Sequence, residues 1–151
     1  MKFGVPIVLA LVLPAVGASF ADKPKLTLKA NPTMAFSPAR VVVTADLTGG
    51  AVDDPQLYCP AIEWEWGDDT RSEDSADCEP FQAGKTEIKR HFTADHTFRI
   101  EEPPGSPGMT AEYRDVHIQL RLRKNGKVIV SGGTTVKIKP EMTSTAASRR
   151  P

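Results

Sequence analysis

The most constraining stretch of the chain is an alternating run that ends in an Asn-Gly pair. Over residues 115–124, apolar side chains occupy every second position: Val116, Ile118, Leu120 and Leu122. Successive side chains of a strand point to opposite faces, so this pattern predicts a strand with one buried face. Asn125-Gly126 supplies the two positive-φ residues of a type I′ turn, and an apolar set returns over residues 128–138. The stretch therefore predicts a β-hairpin.

Runs of the same kind precede this hairpin. The predicted strands cover residues 25–30, 40–47, 61–66, 86–92 and 96–100. Of the two strands before the hairpin, the first is expected to turn Ile88 and Phe92 inward, and the second to present His96, Phe98 and Ile100 on one side. No helical periodicity is present, and about seven short strands with regularly spaced turns indicate an all-β, antiparallel β-sandwich.

Segments rich in proline, glycine or aspartate separate the strands. They predict surface loops over residues 31–39, 51–60, 67–84 and 101–110. Gly132-Gly133 predicts a bulge in the last strand, and Val128 is expected on the inward side of that strand.

The two ends of the chain differ from its middle. Lys2 precedes an apolar run over residues 3–16, and Ser19-Phe20-Ala21 has small residues where a signal peptidase cleaves. Residues 1–21 are therefore predicted to be a cleaved signal peptide of a secreted or periplasmic protein. A retained membrane anchor is the alternative, but the run is shorter than the roughly 20 residues that span a bilayer. Residues 140–151 predict a disordered tail, which leaves residues 22–139 as one domain.

The chain has two cysteines, Cys59 and Cys78, which flank the predicted strand over residues 61–66, the tryptophan strand that contains Trp64 and Trp66. In an oxidising compartment we expect them to form a disulfide, whereas two free buried thiols are the alternative. Closing a loop of roughly 20 residues contributes about 3 kcal/mol in the chain-entropy model.

The charge balance of the chain bears on the kinds of partner that it can attract. Nineteen basic residues match nineteen acidic ones, so no net field favours nucleic acid or an anionic membrane. The hairpin carries a local basic edge, which suits either an acidic partner or protection against edge-to-edge aggregation.

Four short segments occur together in a recognisable order. They are Ala30-Asn31-Pro32, Ser37-Pro38-Ala39-Arg40-Val41, Trp64-Glu65-Trp66-Gly67-Asp68 and His96-Thr97-Phe98. This combination resembles the PKD domain family, an immunoglobulin-like β-sandwich with a Trp-x-Phe-Gly-Asp-Gly strand end and a later His-x-Tyr. An unrelated immunoglobulin-like sandwich is the alternative.

The resemblance has implications and departures. It implies that Trp64, Trp66, Gly67, Asp68, His96 and Phe98 form the fold motif, and that the domain mediates interactions or acts as a spacer. Trp66 stands where the family usually has Phe, Asp69 where it has Gly, and Phe98 where it has Tyr. The cysteine pair is not a hallmark of the family.

Catalytic chemistry finds little support in the sequence. The chain has no Gly-x-Ser-x-Gly and no His-Glu-x-x-His, and its three histidines are dispersed. Glu63 and Glu65 share one strand face, about 7 Å apart, with no sign of a glycosidase cleft. We therefore expect a protein that is not an enzyme and has no resident cofactor.

A calcium site is one alternative for the acidic loop. Its oxygen ligands would be Asp68, Asp69, Asp74 and Asp77, although their spacing does not match an EF-hand. A solvated loop is the other interpretation, and no metal site is firmly predicted.

The tryptophans also admit two interpretations. Exposed paired indoles stack on sugar rings, but Glu63 and Glu65 occupy the polar face of the strand, which leaves the Trp face to be buried. The sequence thus favours an exported, non-catalytic PKD-like module for protein or glycan contact. The alternative is a structural subunit of an envelope or surface assembly, joined through a sheet edge.

Overall fold

A computed structural model describes residues 22–101 and 112–141, and within them the chain is all-β. The strands are β1 (Lys25–Asn31), β2 (Met34–Phe36), β3 (Ala39–Thr48), β4 (Ala61–Glu65), β5 (Arg71–Asp74), β6 (His91–Phe98), β7 (Arg114–Lys124) and β8 (Lys127–Lys139). One sheet has the order β1-β3-β6 and the other the order β2-β8-β7-β4-β5. The two sheets enclose one core, so the expected two-layer β architecture is confirmed.

Alternating side chains form the core between the sheets. On β3 the inward positions are Val41, Val43, Ala45 and Leu47, all buried. The hairpin strand β7 contributes Val116, Ile118, Leu120 and Leu122 from the opposite sheet. Burying a side chain of this size contributes roughly 1.5–3 kcal/mol, so the alternation specifies which face of each strand turns inward.

The two sheets differ in their number of strands, and this leaves β5 of the larger sheet uncovered on one side of the sandwich. On one side β1 packs closely against β8, because Gly132 has no side chain to separate Leu26 and Leu28 from that strand. On the other side β6 lies opposite β4, and His96 of β6 stacks on Trp66, the residue that follows β4. Since β6 is the last strand of its sheet, β5 extends beyond it, and all four β5 residues are exposed.

Two strands lie where loops were expected. β2 forms within the proline-punctuated segment and pairs in parallel with β8, so the sandwich is not purely antiparallel. β5 forms within the acidic segment and pairs with β4. A strand of three or four residues is too short to show a recognisable alternation of apolar and polar residues. Whether it forms depends on pairing with a neighbouring strand.

The region before the hairpin contains one strand instead of two. β6 runs continuously from His91 to Phe98, whereas residues 86–90 lie outside any strand. Ile88 and Phe92 are buried as expected. On the side shared by His96, Phe98 and Ile100, Phe98 is buried and the other two are half-buried. The described residues therefore form eight strands rather than seven.

The hairpin turn is confirmed, but the bulge lies elsewhere. Asn125 and Gly126 have φ values of 50° and 77°. Gly132 and Gly133 pair regularly with β7, and the register shifts instead between Leu122 and Arg123. This shift reverses the side-chain parity at the start of β8, so Val128 is 50% exposed and not inward.

Three predicted segments fall partly or wholly outside the described residues. The signal peptide over 1–21 and most of the loop over 101–110 lie outside them. Paired structure continues two residues into the predicted tail, since Glu141 N–H donates to the Ile100 carbonyl, and the rest of the tail lies outside. No helix in 22–101 or 112–141 is long and apolar enough to cross a membrane.

Candidate interaction surface

The tryptophan strand ends in an aromatic stack inside the sandwich. Trp64 and Trp66 are 5% and 1% exposed, and their rings stack with centroids 5.5 Å apart. His96 stacks on the other side of Trp66, at 4.7 Å, and meets Phe98 edge-on at the same centroid distance. The indoles are core residues, so they do not form an exposed platform for a sugar ring.

The turn after this strand is tied across to β6. Asp68 Oδ2 lies 2.7 Å from His96 Nε2, and Asp68 Oδ1 accepts hydrogen bonds from the backbone and hydroxyl of Thr70. Burial opposes ionisation of Asp68, but the hydrogen bonds from Thr70 and His96 outweigh it and hold the pKa of Asp68 below its ordinary value. The contact joins the two sheets at one end.

Backbone conformation explains two positions of this turn. Gly67 has φ 80°, and a Cβ there would collide with the backbone carbonyl of His117. Asp69 adopts φ 65°, the left-handed conformation that aspartate tolerates better than most side chains. An aspartate at position 69 is therefore compatible with the turn.

The disulfide is present and ties the acidic segment to the loop before β4. Cys59 and Cys78 are joined, which confirms the predicted pairing. Beside them Tyr58 donates its hydroxyl hydrogen to the Glu79 carbonyl and packs on Phe81 with centroids 5.5 Å apart. An open cleft of about 490 Å³ lies here, and Lys124 at its edge donates to the Tyr58 carbonyl at 2.6 Å.

The four aspartates considered for calcium do not converge. Asp68 is bound to His96 and Thr70, Asp74 ends β5, and Asp77 lines the cleft beside the disulfide. Within 22–101 and 112–141, no group of three or more His, Cys, Asp or Glu side chains is arranged to hold a metal ion.

The two glutamates of β4 form an ion-pair network on the outer sheet face. Glu63 is only 8% exposed and accepts hydrogen bonds from Arg121 at 3.1 Å and Arg123 at 2.7 Å. The bond from Arg123, opposed by burial and aided by Arg121, holds the pKa of Glu63 below its ordinary value. Glu65 pairs with Arg71 and Arg121. Both carboxylates are therefore held by guanidinium groups, and neither is placed to serve as a glycosidase acid.

A His-centred relay occurs on the other outer face, and the sequence pattern did not indicate it. His91 Nδ1 lies 2.8 Å from Asp46 Oδ1, and His91 Nε2 lies 3.3 Å from the Thr93 hydroxyl. The order of groups is that of a hydrolase triad, but His91 and Asp46 side chains are 62% and 50% exposed on an open sheet face. Water is not excluded there, which argues against nucleophilic catalysis.

An exposed apolar cluster lies at the β2 edge of the larger sheet. This aromatic patch consists of Met34, Phe36, Tyr113 and Lys139; the first three are 51%, 67% and 38% exposed. The rings of Phe36 and Tyr113 lie 6.2 Å apart, and the Lys139 ammonium lies 5.9 Å from each ring. Sequence reasoning missed the patch because its residues are brought together only by the pairing of β2, β8 and β7.

Comparison with models of known protein families finds no match, and no curated protein matches the chain.

Proposed function

We propose that this chain is an exported, non-catalytic PKD-like module that binds a partner protein through the aromatic patch. The mature domain is an immunoglobulin-like sandwich, and the aromatic patch provides the contact with the partner. The secreted or periplasmic location rests on the N-terminal pattern and on the Cys59–Cys78 disulfide.

The PKD-like assignment is supported by direct contacts between the residues that carry the resemblance. Trp66 stacks on His96, and Asp68 bonds the same imidazole, so one strand end and one later strand share a single contact. Because these residues contact one another, the tryptophan segment and the later histidine segment are expected to occur together in one sequence.

The exposure of the aromatic patch is the observation that carries the contact function. A phenylalanine that is 67% exposed beside an exposed methionine and tyrosine costs hydration free energy unless something covers it. Aromatic residues and methionine are enriched at protein interfaces, where a few such anchors carry most of the binding energy.

The geometry of the patch favours a protein over a glycan. The planes of the Phe36 and Tyr113 rings are tilted by 52°, so they do not form one flat platform for a sugar ring. Lys139 stands over both rings and supplies a cation that a carboxylate or carbonyl of a partner protein can meet.

The test begins with capture from the extracytoplasmic fraction of the source cells, using a photo-crosslinking side chain at position 36. The captured protein is then purified and its Kd measured against Phe36→Ser and, as a matched control, Val128→Ser, which removes another exposed apolar side chain. We expect about 30-fold weaker binding for Phe36→Ser, equivalent to about 2 kcal/mol, and no change for the control. Equal affinities of both variants would refute the patch, and loss of glycan-array binding in Phe36→Ser would assign it to a sugar.

A structural subunit joined through a sheet edge is the second candidate. The edge strand β2 carries no charged residue, and charged side chains on edge strands commonly discourage strand pairing. Solution size separates the two functions: a monomer supports the interaction module, and concentration-dependent oligomers support the subunit.

A further inference from the structure

A second surface, distinct from the aromatic patch, lies where the narrower sheet ends. The crevice between β6 and β5 has a volume of about 200 Å³ and opens at the side of the sandwich. Its apolar walls are Ile62, Trp64, Phe92 and Ala94, and its polar rim includes Ser72, Asp74 and Lys89. Core side chains thus border solvent along this side.

The backbone of β6 is unpaired along the same side. The Leu47 N–H donates to the Arg90 carbonyl at 2.8 Å, and this fixes the alternation of the antiparallel β3–β6 register. Residues at even numbers bond to β3, so the N–H and C=O groups of His91, Thr93, Asp95 and Thr97 point to the outer edge. Within 22–101 and 112–141 these outward groups have no backbone partner.

The inner face of β5 lacks a covering layer at the same place. Ser72 and Asp74 lie on this face, opposite Trp64 and Ile62 in the register, and both are exposed. One more strand beside β6 would lie over β5 and close the crevice. Among residues 22–101 and 112–141, the smaller sheet is therefore one strand too narrow to cover β5 on this side.

We propose that this edge binds an extended segment of a partner protein, which adds to the smaller sheet as a strand beside β6. A row of outward backbone donors and acceptors selects an extended chain, because only another backbone matches its repeat. The crevice takes one or two aliphatic side chains of the segment at alternate positions. Asp74 forms no ion pair in the described part of the chain, so a basic residue on the same side of the segment complements it.

The inference rests on the proposed role as an interaction module but uses other residues. The patch lies beyond β8 on the larger sheet, at the opposite edge from β5. If a partner binds through Phe36 but the peptide probe described below does not bind, the proposed function stands and only the β6 edge site is refuted. If the peptide probe binds at β6 while Phe36→Ser leaves the affinity for the partner unchanged, the aromatic patch is refuted as the contact surface and the β6 edge site stands.

The probe is a capped octapeptide of alternating threonine and valine in which one valine is replaced by lysine; a serine-for-valine peptide is the control. Amide hydrogen exchange is followed by NMR on the full mature chain. We expect saturating probe to slow exchange at Thr93 and Asp95 at least tenfold, with smaller changes at Phe92 and Ala94, whose amides already bond to β3. The control peptide is expected to leave these rates unchanged.

Two variants test the two halves of the site. Thr93→Pro removes an outward amide, which an edge strand tolerates, whereas Thr93→Val keeps it; both lose the hydroxyl contact to His91. Ala94→Leu fills the crevice and leaves the edge amides in place. We expect Thr93→Pro and Ala94→Leu to abolish probe binding and Thr93→Val to retain it, with unfolding midpoints showing that each variant is folded.

Three results would overturn the inference. One is unchanged exchange at Thr93 and Asp95 in the presence of the probe. Another is equal probe affinity for Thr93→Pro and Thr93→Val, which would mean that no strand pairs there. The third is protection of the same amides that rises with protein concentration alone, which would assign the edge to a second copy of this chain.

Discussion

The imidazole of His96 stacks on the indole of Trp66 with an interplanar angle of 13°, and it bonds at the same time to Asp68. One side chain of the smaller sheet thereby holds both the core strand and the turn of the larger sheet. The open crevice lies nearer the start of β6, at Phe92 and Ala94.

Asp68→Asn tests the link between the sheets. The folded-state pKa of Asp68 lies below its ordinary value of 3.8, so its ionised form stabilises the fold above that pH and the contribution is lost as pH falls through the lower value. We expect Asp68→Asn to lose about 1–3 kcal/mol at neutral pH and progressively less below pH 3.8. Denaturant unfolding between pH 7 and pH 2.5 measures this, with the neighbouring Asp69→Asn as control. A penalty for Asp68→Asn that is independent of pH would contradict the ionic contribution.

Ser72→Ala tests the polar anchor of the buried indole. Trp66 Nε1–H donates to the Ser72 hydroxyl at 2.8 Å, and Trp66 is 1% exposed. Removing the acceptor leaves a buried donor without its partner, which costs about 1–3 kcal/mol of unfolding free energy. Ser72→Thr keeps a hydroxyl on the strand and is expected to retain most of the stability. If both variants unfold at the same denaturant concentration, the hydrogen bond does not stabilise the fold.

Gly132→Ala tests the close approach of β1 to β8. A Cβ at Gly132 would meet the Leu26 carbonyl oxygen at 2.7 Å and Leu28 Cδ1 at 2.8 Å, so the sheets must separate. We expect a loss of about 1–3 kcal/mol from this overpacking. Gly133→Ala is the matched control, since its nearest contact is the Ile118 carbonyl oxygen at 3.2 Å. Calorimetric or denaturant unfolding that ranks Gly133→Ala below Gly132→Ala in stability would refute the packing argument.

Removal of the Cys59–Cys78 disulfide tests how much this covalent bond contributes to the stability of the fold. The two cysteines are 19 residues apart in sequence, and closing a loop of this length contributes about 3 kcal/mol in the chain-entropy model. The double variant Cys59→Ala/Cys78→Ala is expected to lose stability of this order. Addition of reductant should lower the unfolding midpoint of the natural chain and leave that of the double variant unchanged. Free thiols detected by mass spectrometry of the exported protein would remove the basis of the prediction.

Much of the core was predictable because alternation is a local property. Val41, Val43 and the apolar side of β7 could be assigned to the interior from spacing alone. The turn at Asn125-Gly126 was predictable for the same reason, since its residue types match its positive φ angles. The inward direction of Trp64 and Trp66 followed from the two glutamates that alternate with them.

Pairing between distant segments was not predictable from spacing. β2 and β5 are too short to show a period and exist because β8 and β4 present matching edges. Glu63 looked like a solvent-facing residue, yet Arg121 and Arg123 from β7 cover it. The displaced bulge at Leu122 and Arg123 left no local signal, and it turned Val128 outward.

The sequence by itself determined the all-β character, the inward face of the longer strands and the cysteine pair, because each depends on residues close together or on residue type. Only the tertiary structure decided which surfaces are left for partners. The aromatic patch joins Phe36 to Tyr113, and the crevice joins Trp64 to Ala94, through strand order and the unequal width of the two sheets. Contacts between residues so far apart depend on how the whole chain pairs, and no local pattern records that choice.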